Sequence, residues 1–281
     1  MNTIDIILCV YNSSDTISEC IDSLLNQTYG FFNLYIFDDC STDDTVDKIK
    51  KYSDKRITLV CSGKNIGTYA AKNFILKNFC NSEYVALHDA DDYSEPTRLE
   101  KQIETMTSHK IHCLGTAVRE FWEDQRPHTI SDQITKNKER LNVYPLDLDR
   151  TSLVDLIDNS KLKYDEFLKF KICMNGSVMF TRKILEDLGG WDGKTRVGGD
   201  TDIFIRLMSK YKIYNLDECL YNRRFHEKSL TASNITGINS DIRKSYNCKR
   251  VETIKNSIQR KMVIKNFYYP EFDYEVVRCV E

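Results

Sequence analysis

Residues 84–92 read YVALHDADD, a short apolar segment that ends in three aspartates. An uninterrupted apolar segment of this length is typical of a strand that is buried on both faces. Asp89 and Asp91 are two positions apart, so on an extended chain their carboxylates point to the same side and can share one ligand. Carboxylate oxygens are hard ligands that suit Mg²⁺ or Mn²⁺. An isolated pair of this kind is more often an acid-rich turn in water, so the choice depends on the neighbouring sequence.

The first 120 residues repeat the pattern of a strand followed by a helix. Apolar runs predict strands over residues 3–10, 33–37, 57–61 and 84–87, and helical periodicity predicts helices over residues 14–27, 41–52, 69–79 and 96–107. Four such units imply an α/β fold with a mostly parallel sheet and helices on both of its faces.

Ligands of such sheets bind beyond the carboxyl ends of the strands. In this chain those ends carry Tyr11, the pair Asp38-Asp39, and the acidic run from Asp89 to Asp92. The convergence of acids at one edge therefore favours a metal site over a solvated turn.

Composition limits the classes of function. The chain has 281 residues, of which 41% are hydrophobic, enough for one large α/β domain or two small ones. The net charge of -2 argues against nucleic-acid binding as the role of the whole protein. No apolar run is long enough to span a bilayer. The ten cysteines stand singly, and the first residues do not resemble a signal peptide, so a reduced, cytoplasmic location is expected.

Beyond residue 122 the pattern is less regular. Residues 123–171 are polar, and clear signals return as a strand over 176–180 and helices over 182–188 and 200–210. A helical stripe over 242–264 lies among mostly basic residues. We expect this helix to turn its apolar stripe to the core and its charges to water. Peripheral contact with an anionic membrane and a partner surface are the alternatives.

Several familiar catalytic signatures are missing from the sequence. It contains no GxxxxGK[ST], no GxGxxG after the first strand, no HExxH and no GxSxG. Kinases, dinucleotide-binding enzymes, zinc proteases and serine hydrolases therefore lose their usual motifs.

Short blocks occur in a fixed order along the chain. They are ILCVYN (7–12), FDDCSTDDT (37–45), NIGTYAAKN (65–73), DADD (89–92), NGSVMF (175–180), GGWD (189–192), GDTD (199–202) and RRFH (223–226). Together they resemble family 2 glycosyltransferases, closely over residues 4 to about 120 and again over 174–231. The resemblance implies a GT-A fold, with a mostly parallel central sheet, over residues 1–236. Its donor-binding half would be 1–120 and its acceptor-side half 121–236, followed by a helical extension over 237–281.

The resemblance also implies residues that bind the nucleotide of the donor. Tyr11 would stack on a uracil ring, and Asp39 would accept a hydrogen bond from N3–H of the base, with Asp38 as a weaker candidate. Asp89 would lie near the ribose or the metal. Lys72 stands where many family members have Arg, and would contact the diphosphate or the base edge without a bidentate fork. The structural alternatives are strand-end packing for Tyr11, helix capping for Asp38 and Asp39, and a solvated surface lysine for Lys72.

A metal site follows from the same resemblance. Asp91, in the DxD motif, would bind Mn²⁺ or Mg²⁺ directly, with help from Asp89. His226 would complete the site, because a neutral imidazole is an acceptable ligand for Mn²⁺. Asp92 is equally well explained as a turn residue.

Asp200 matches the general base of the family, which takes the proton of an attacking hydroxyl. Position 199 is often Glu in relatives but Gly here, and Asp202 is a nearby alternative base. N-capping of the following helix explains Asp200 as well. Trp191 and Asp192, in the GGWD turn, would contact the acceptor, with packing at the rim as the alternative for Trp191.

These expectations combine into a metal-dependent, inverting hexosyl- or N-acetylhexosaminyltransferase. It would move a sugar from a nucleotide-sugar, and a UDP-sugar first, to a hydroxyl of a glycan, lipid-linked or protein acceptor. Residues 123–171 would shape the acceptor pocket. One alternative is a non-catalytic protein of this fold that binds nucleotide-sugars. The other is a nucleotidyltransferase. This chain does not have the Gly-rich phosphate loop typical of that class between residues 9 and 16.

Overall fold

Strand β1 (Ile4–Val10) lies at the centre of a sheet that has eleven strands in the described part of the chain. The computed structural model describes residues 2–122, 139–142, 147–148, 173–208, 210–226, 229, 240–242, 245 and 267–279. Residues 139–142 and 147–148 are described by their backbone pairing alone.

Strands and helices alternate from β1 to β4, and the short strand β5 comes between β4 and the next helix. The strands are β1, β2 (Phe32–Asp38), β3 (Ile57–Ser62), β4 (Tyr84–Asp89), β5 (Tyr93–Ser94), β6 (Cys113–Trp122), β7 (Glu139–Asn142), β8 (Asp147–Leu148), β9 (Met179–Thr181), β10 (Ile213–Phe225) and β11 (Tyr274–Arg278). The α-helices are α1 (Ile17–Leu25), α2 (Thr45–Lys50), α3 (Thr68–Asn78), α4 (Arg98–His109), α5 (Arg182–Asp187) and α6 (Gly199–Met208).

The strand order is β11-β3-β2-β1-β4-β9-β6-β10-β5. β1 pairs in parallel with β2 and β4, and β2 with β3. β9 lies antiparallel between β4 and β6, and β10 is parallel to β6. The carboxyl ends of β1, β2, β4 and β10 therefore lie at one edge of the sheet. The predicted α/β fold is confirmed. Its sheet is mixed, with a parallel core of β3, β2, β1 and β4 and antiparallel pairings on both sides of that core.

Two hydrophobic layers cover the sheet. On one face, α3, α5 and α6 bury a cluster that includes Phe74, Phe180 and Trp191. On the other face, α1, α2 and α4 bury a second cluster. Helix α1 shows why the sequence folds this way, because its buried residues Ile17, Cys20, Ile21 and Leu24 recur every three or four positions and form one stripe.

Element boundaries differ from the sequence prediction by a few residues, for example at the start of α2 and in the run over 176–180. Helix α2 begins at Thr45 instead of residue 41, because the Asp43 carboxylate accepts from the Thr45 amide at 3.1 Å and holds the preceding residues in a turn. The run predicted as a strand over 176–180 starts as a 3₁₀ turn (Asn175–Ser177), and only β9 continues in the sheet.

The C-terminal extension is not wholly helical. Most of the basic stripe over 242–264 lies outside the described residues. Residues 267–279 contain no helix and form β11, which pairs antiparallel with β3 through Tyr274↔Ser62 and Arg278↔Thr58. The extension predicted as helical over 237–281 thus includes a strand, and aromatic side chains that precede and begin this strand, such as Phe272, pack on Phe74 of α3. No helix in the ranges that the structure describes is long and apolar enough to cross a membrane.

Candidate active site

Asp39 directly follows β2, at the edge of the sheet where the parallel strands end. Its Oδ1 accepts from the Ile66 amide at 2.6 Å and its Oδ2 from the Gly67 amide at 2.8 Å, so it fixes the loop that enters α3. Burial raises the pKa of Asp39 to about 6, although both amides and the Arg196 guanidinium favour the carboxylate. Gly67 has a φ of 89°, a conformation that glycine adopts without a steric penalty.

Tyr11 and Asp38 flank this loop differently. The Tyr11 side chain is 50% exposed at the end of β1, so its ring is open to a flat partner. Asp38 is buried, and its Oδ2 accepts from the Ser41 amide at 3.1 Å. Asp38 Oδ1 is buried and has no hydrogen-bond partner among the described residues, and burial raises the pKa of this carboxyl. Asp38 therefore supports the turn beneath the site.

Lys72 lies on α3 and faces Asp89 across the sheet edge. Its side chain is 2% exposed, and its ammonium lies 5.7 Å from the ring centroid of Tyr69 and 6.0 Å from that of Trp191. Burial raises the pKa of Asp89, the Lys72 charge opposes that rise, and the carboxylates of Asp91 and Asp200 add to it. Lys72 is thus buried close enough to Asp89 for its charge to act on that carboxyl, and it is not a solvated surface lysine.

Asp91 and His226 meet at the same edge. His226 Nε2 lies 3.1 Å from Asp91 Oδ2, and both side chains remain partly exposed. No group of three or more His, Cys, Asp or Glu side chains suited to a metal ion occurs among the described residues. The pair therefore offers one oxygen and one nitrogen, which suits an ion that takes its other ligands from a phosphate-bearing substrate.

Asp92 has a structural role. Its Oδ2 accepts from the Tyr221 hydroxyl at 2.8 Å and its Oδ1 from the Arg224 amide at 2.8 Å, so it ties the acidic turn to β10. The Arg224 guanidinium donates to the Asp91 carbonyl oxygen at 3.0 Å and to Glu19 of α1. Burial raises the pKa of Asp92 well above its ordinary value.

Asp200 opens helix α6 and accepts a hydrogen bond on Oδ1 from the Tyr69 hydroxyl. Its charge acts on Asp89, so it lies near the acidic residues at this edge of the sheet. Asp202 does not serve as an alternative to it. Asp202 is buried and pairs with Arg206 at 2.9 Å, while Arg206 also donates to the carbonyl oxygens of Leu188 and Gly190, both at 2.7 Å.

Of the two predicted acceptor residues, Trp191 is placed differently from the expectation. Trp191 has no exposed surface and packs edge-on against Phe180, so its ring lies in the core and is not open to an acceptor. Asn73 of α3 explains this placement, because it exchanges two hydrogen bonds of 2.9 Å with the Trp191 backbone. Asp192 is partly buried, and its Oδ1 accepts from the Lys194 amide at 3.3 Å within its own turn.

A sequence model described as Glycosyl transferase family 2 matches residues 5–189 of the chain. The chain belongs to this family. The match contains the strand-end residues Tyr11, Asp39, Lys72, Asp89 and Asp91, whereas Asp200 and His226 follow it.

Bacterial relatives of this family 2 chain match it over different lengths. The Escherichia coli protein named UDP-Glc:alpha-D-GlcNAc-diphosphoundecaprenol beta-1,3-glucosyltransferase WfaP is 39% identical over 111 residues, which is 40% of the chain and 44% of that protein. Chondroitin synthase of Pasteurella multocida is 28% identical over 275 residues, which is 96% of the chain but 24% of that protein. The chain thus spans less than half the length of either relative.

Solved structures share the fold of this family 2 chain. Staphylococcus aureus TarS 1-349 in complex with UDP-GlcNAc matches with a TM-score of 0.62 at 17% identity, over 92% of the chain and 73% of that structure. The mannosyltransferase PcManGT from Pyrobaculum calidifontis, in complex with GDP-Man and Mn²⁺, matches with a TM-score of 0.57 at 15% identity, over 92% of the chain and 68% of that structure. The central sheet is therefore that of a GT-A fold.

Two tyrosines that contact the candidate site residues, Tyr69 and Tyr221, are not indicated by the sequence motifs. Tyr69 lies three positions before Lys72 on α3, a spacing that puts both on one helix face and could have pointed to it. Tyr221 lies within β10, whose mixed polar and apolar residues gave no strand signal.

Proposed function

We propose that this family 2 chain is an inverting glycosyltransferase that uses a nucleotide-sugar donor, a UDP-sugar first, and a divalent cation. The observation that carries the proposal is that Tyr69 donates to Asp200 while its ring centroid lies 5.7 Å from the Lys72 ammonium. The charges of Lys72 and Asp200 both act on Asp89, at the sheet edge that also bears Asp39 and Asp91. A lysine suited to a diphosphate and a carboxylate suited to a catalytic base are then available near one edge of the sheet.

The donor nucleotide would lie across the ends of β1 and β2. Tyr11 offers an exposed ring on which a base can stack. Asp39 already accepts from two amides, and each carboxylate oxygen has a second lone pair for N3–H of a uracil. Lys72 would face the diphosphate, where a point charge without a fork is sufficient. Asp89 would lie near the ribose and the metal.

Asp91 and His226 would hold the cation together with the diphosphate of the donor. Their oxygen and nitrogen fit Mn²⁺ better than Mg²⁺, which prefers oxygen ligands. When bound, the cation neutralises negative charge on the leaving diphosphate.

The chemical step would be a single displacement. Asp200 takes the proton from a hydroxyl of the acceptor while that oxygen forms a bond to the anomeric carbon. The bond between the anomeric carbon and the diphosphate oxygen breaks, and its electron pair leaves with the nucleoside diphosphate. Attack from the opposite side inverts the anomeric configuration, and no covalent enzyme intermediate forms.

Calorimetric titration of UDP, with and without Mn²⁺, tests the donor site. We expect binding that depends on Mn²⁺ and is lost in Asp91→Ala. GDP and dTDP are titrated in parallel, since one structural relative is in complex with GDP-Man. If none of the three nucleotides binds under either condition, the proposed donor site is wrong.

A panel of UDP-sugars then tests turnover. WfaP carries the name of an enzyme that acts on GlcNAc-diphosphoundecaprenol, so sugars on a lipid diphosphate come first among the acceptors, followed by free glycans. The matched variant Asp200→Asn should keep UDP binding and lose turnover by about 10²-fold or more. A wild-type chain that binds a UDP-sugar but transfers it to nothing would favour the non-catalytic alternative.

A further inference from the structure

Tyr69 and Asp200 join two helix N-termini. The Tyr69 hydroxyl, in the first turn of α3, donates to Asp200 Oδ1, in the first turn of α6. The Tyr69 side chain is 6% exposed, so little water competes for its hydroxyl. A hydrogen bond shielded in this way holds a carboxylate in one orientation more firmly than one in open water.

The ring of Tyr69 also explains Gly199. A Cβ added at Gly199 would lie 2.9 Å from three atoms of the Tyr69 ring, closer than Cβ atoms come to other atoms in proteins. The φ of Gly199 is not positive, so the backbone itself does not require glycine. The residue before Asp200 is therefore small because the ring of Tyr69 fills the space that a side chain would need.

We infer that Tyr69 is the positioning residue for Asp200. Gly199 leaves the space that the ring of Tyr69 needs in order to reach Asp200. This inference rests on the proposed function, in which Asp200 is the base. The phenol occupies Oδ1 without adding a charge, which leaves Oδ2 to receive the proton of the acceptor. Tyr69 and Lys72 lie three positions apart on α3, so one face of this helix serves both the base and the diphosphate.

The variant Tyr69→Phe removes only the hydroxyl and keeps the ring over Gly199. With the UDP-sugar that the wild-type chain turns over, we expect kcat to fall by about 10- to 100-fold. The KM for the donor and the affinity for UDP with Mn²⁺ should stay within twofold, because the hydroxyl contacts the base and not the nucleotide. A tyrosine with a purely structural role would not separate kcat from KM in this way.

Tyr211→Phe is the matched control. Its hydroxyl also donates to an aspartate, Asp187 Oδ2 at 2.7 Å, away from the cleft. We expect this variant to keep the wild-type kcat and KM.

The double variant Tyr69→Phe/Asp200→Asn separates the inference from the proposed function. If Tyr69 acts through Asp200, the double variant should be no slower than Asp200→Asn alone. If Tyr69→Phe turns over at the wild-type rate while Asp200→Asn is inactive, the inference is wrong and Asp200 remains the proposed base. Wild-type turnover in Asp200→Asn contradicts the proposed base, and the inference with it. Loss of UDP binding in Tyr69→Phe would assign Tyr69 to the donor site instead.

A second measurement needs no turnover. Gly199→Ala should lower the unfolding temperature by about 3–10 °C, because the new Cβ meets the Tyr69 ring. In a Tyr69→Ala background the same substitution should be neutral or raise that temperature, since alanine has the higher helix propensity. If Gly199→Ala is tolerated equally in both backgrounds, the ring does not constrain position 199 and the inference fails.

Discussion

Tyr221 joins both ends of the acidic turn through one hydroxyl. It donates to Asp92 Oδ2 at 2.8 Å and accepts from the Asp89 amide at 3.2 Å, while the Arg98 guanidinium lies 5.3 Å from its ring centroid. Asp91 lies between these two points and meets His226, which follows the end of the strand that carries Tyr221. The geometry of the proposed metal ligands therefore depends on a phenol that need not touch the metal.

Tyr221→Phe should loosen this turn. Two hydrogen bonds are lost and the buried Asp92 carboxyl keeps only its backbone donor, so we expect the free energy of unfolding to fall by about 1–3 kcal/mol. The affinity for UDP with Mn²⁺ should fall with it, whereas affinity for uridine should not change. Urea denaturation and calorimetry measure the two effects. Tyr52→Phe is the control. It removes a hydroxyl that donates from just after α2 to Asp22 of α1, and it should leave UDP binding unchanged.

Lys72→Met should weaken the donor site without unfolding the protein. Methionine fills a volume similar to that of the lysine stem between Tyr69 and Trp191, but removes the cation opposite Asp89. Loss of a charge-assisted contact to the diphosphate should weaken UDP binding by about 10- to 100-fold and leave uridine binding unchanged. Lys77→Met, at an exposed position of the same helix, is the control. Equal UDP affinity in Lys72→Met and the wild-type chain would exclude the diphosphate contact.

Binding of the uracil ring should depend on the ionisation of Asp39. Burial raises its pKa to about 6, so its carboxylate predominates above that pH and its neutral form below it. The neutral form loses an acceptor for N3–H of uracil and for one of the two loop amides. We therefore expect the affinity for uridine to fall by about tenfold between pH 7 and pH 5. Uridine is the probe because it has no phosphate that titrates in this range.

Asp39→Asn is the matched variant for this titration. Its amide cannot ionise, so uridine should bind weakly and with little change between pH 5 and pH 7. NMR titration or calorimetry at the two pH values measures both proteins. A pH response that persists in Asp39→Asn would assign the titration to another group.

The sequence predicts best where the signal is local. The apolar runs before Tyr11, Asp39 and Asp89 indicate strands, and parallel pairing brings their ends to one edge, as β1, β2 and β4 show. Strand β10 is not predictable in the same way, because its partner β6 lies about a hundred residues earlier and its register shifts twice. The same distance hides Trp191, whose burial depends on two hydrogen bonds to Asn73. The hydrogen bonds of the site, such as those from Tyr69 to Asp200 and from Tyr221 to Asp92, also join residues far apart in sequence, so no local pattern predicts them.

Asp202 and Arg206 offer a test of stability that needs neither donor nor acceptor. The pair is almost fully buried on α6, and Arg206 also binds the carbonyl oxygens of Leu188 and Gly190. Asp202→Asn leaves a buried guanidinium without its counter-charge, so we expect the free energy of unfolding to fall by about 3–5 kcal/mol. The exposed pair of Lys183 and Asp187 has the same spacing on α5, and Lys183→Ala should cost less than about 0.5 kcal/mol. Urea denaturation of the two variants compares them directly, and equal losses would mean that burial does not govern the contribution of these pairs.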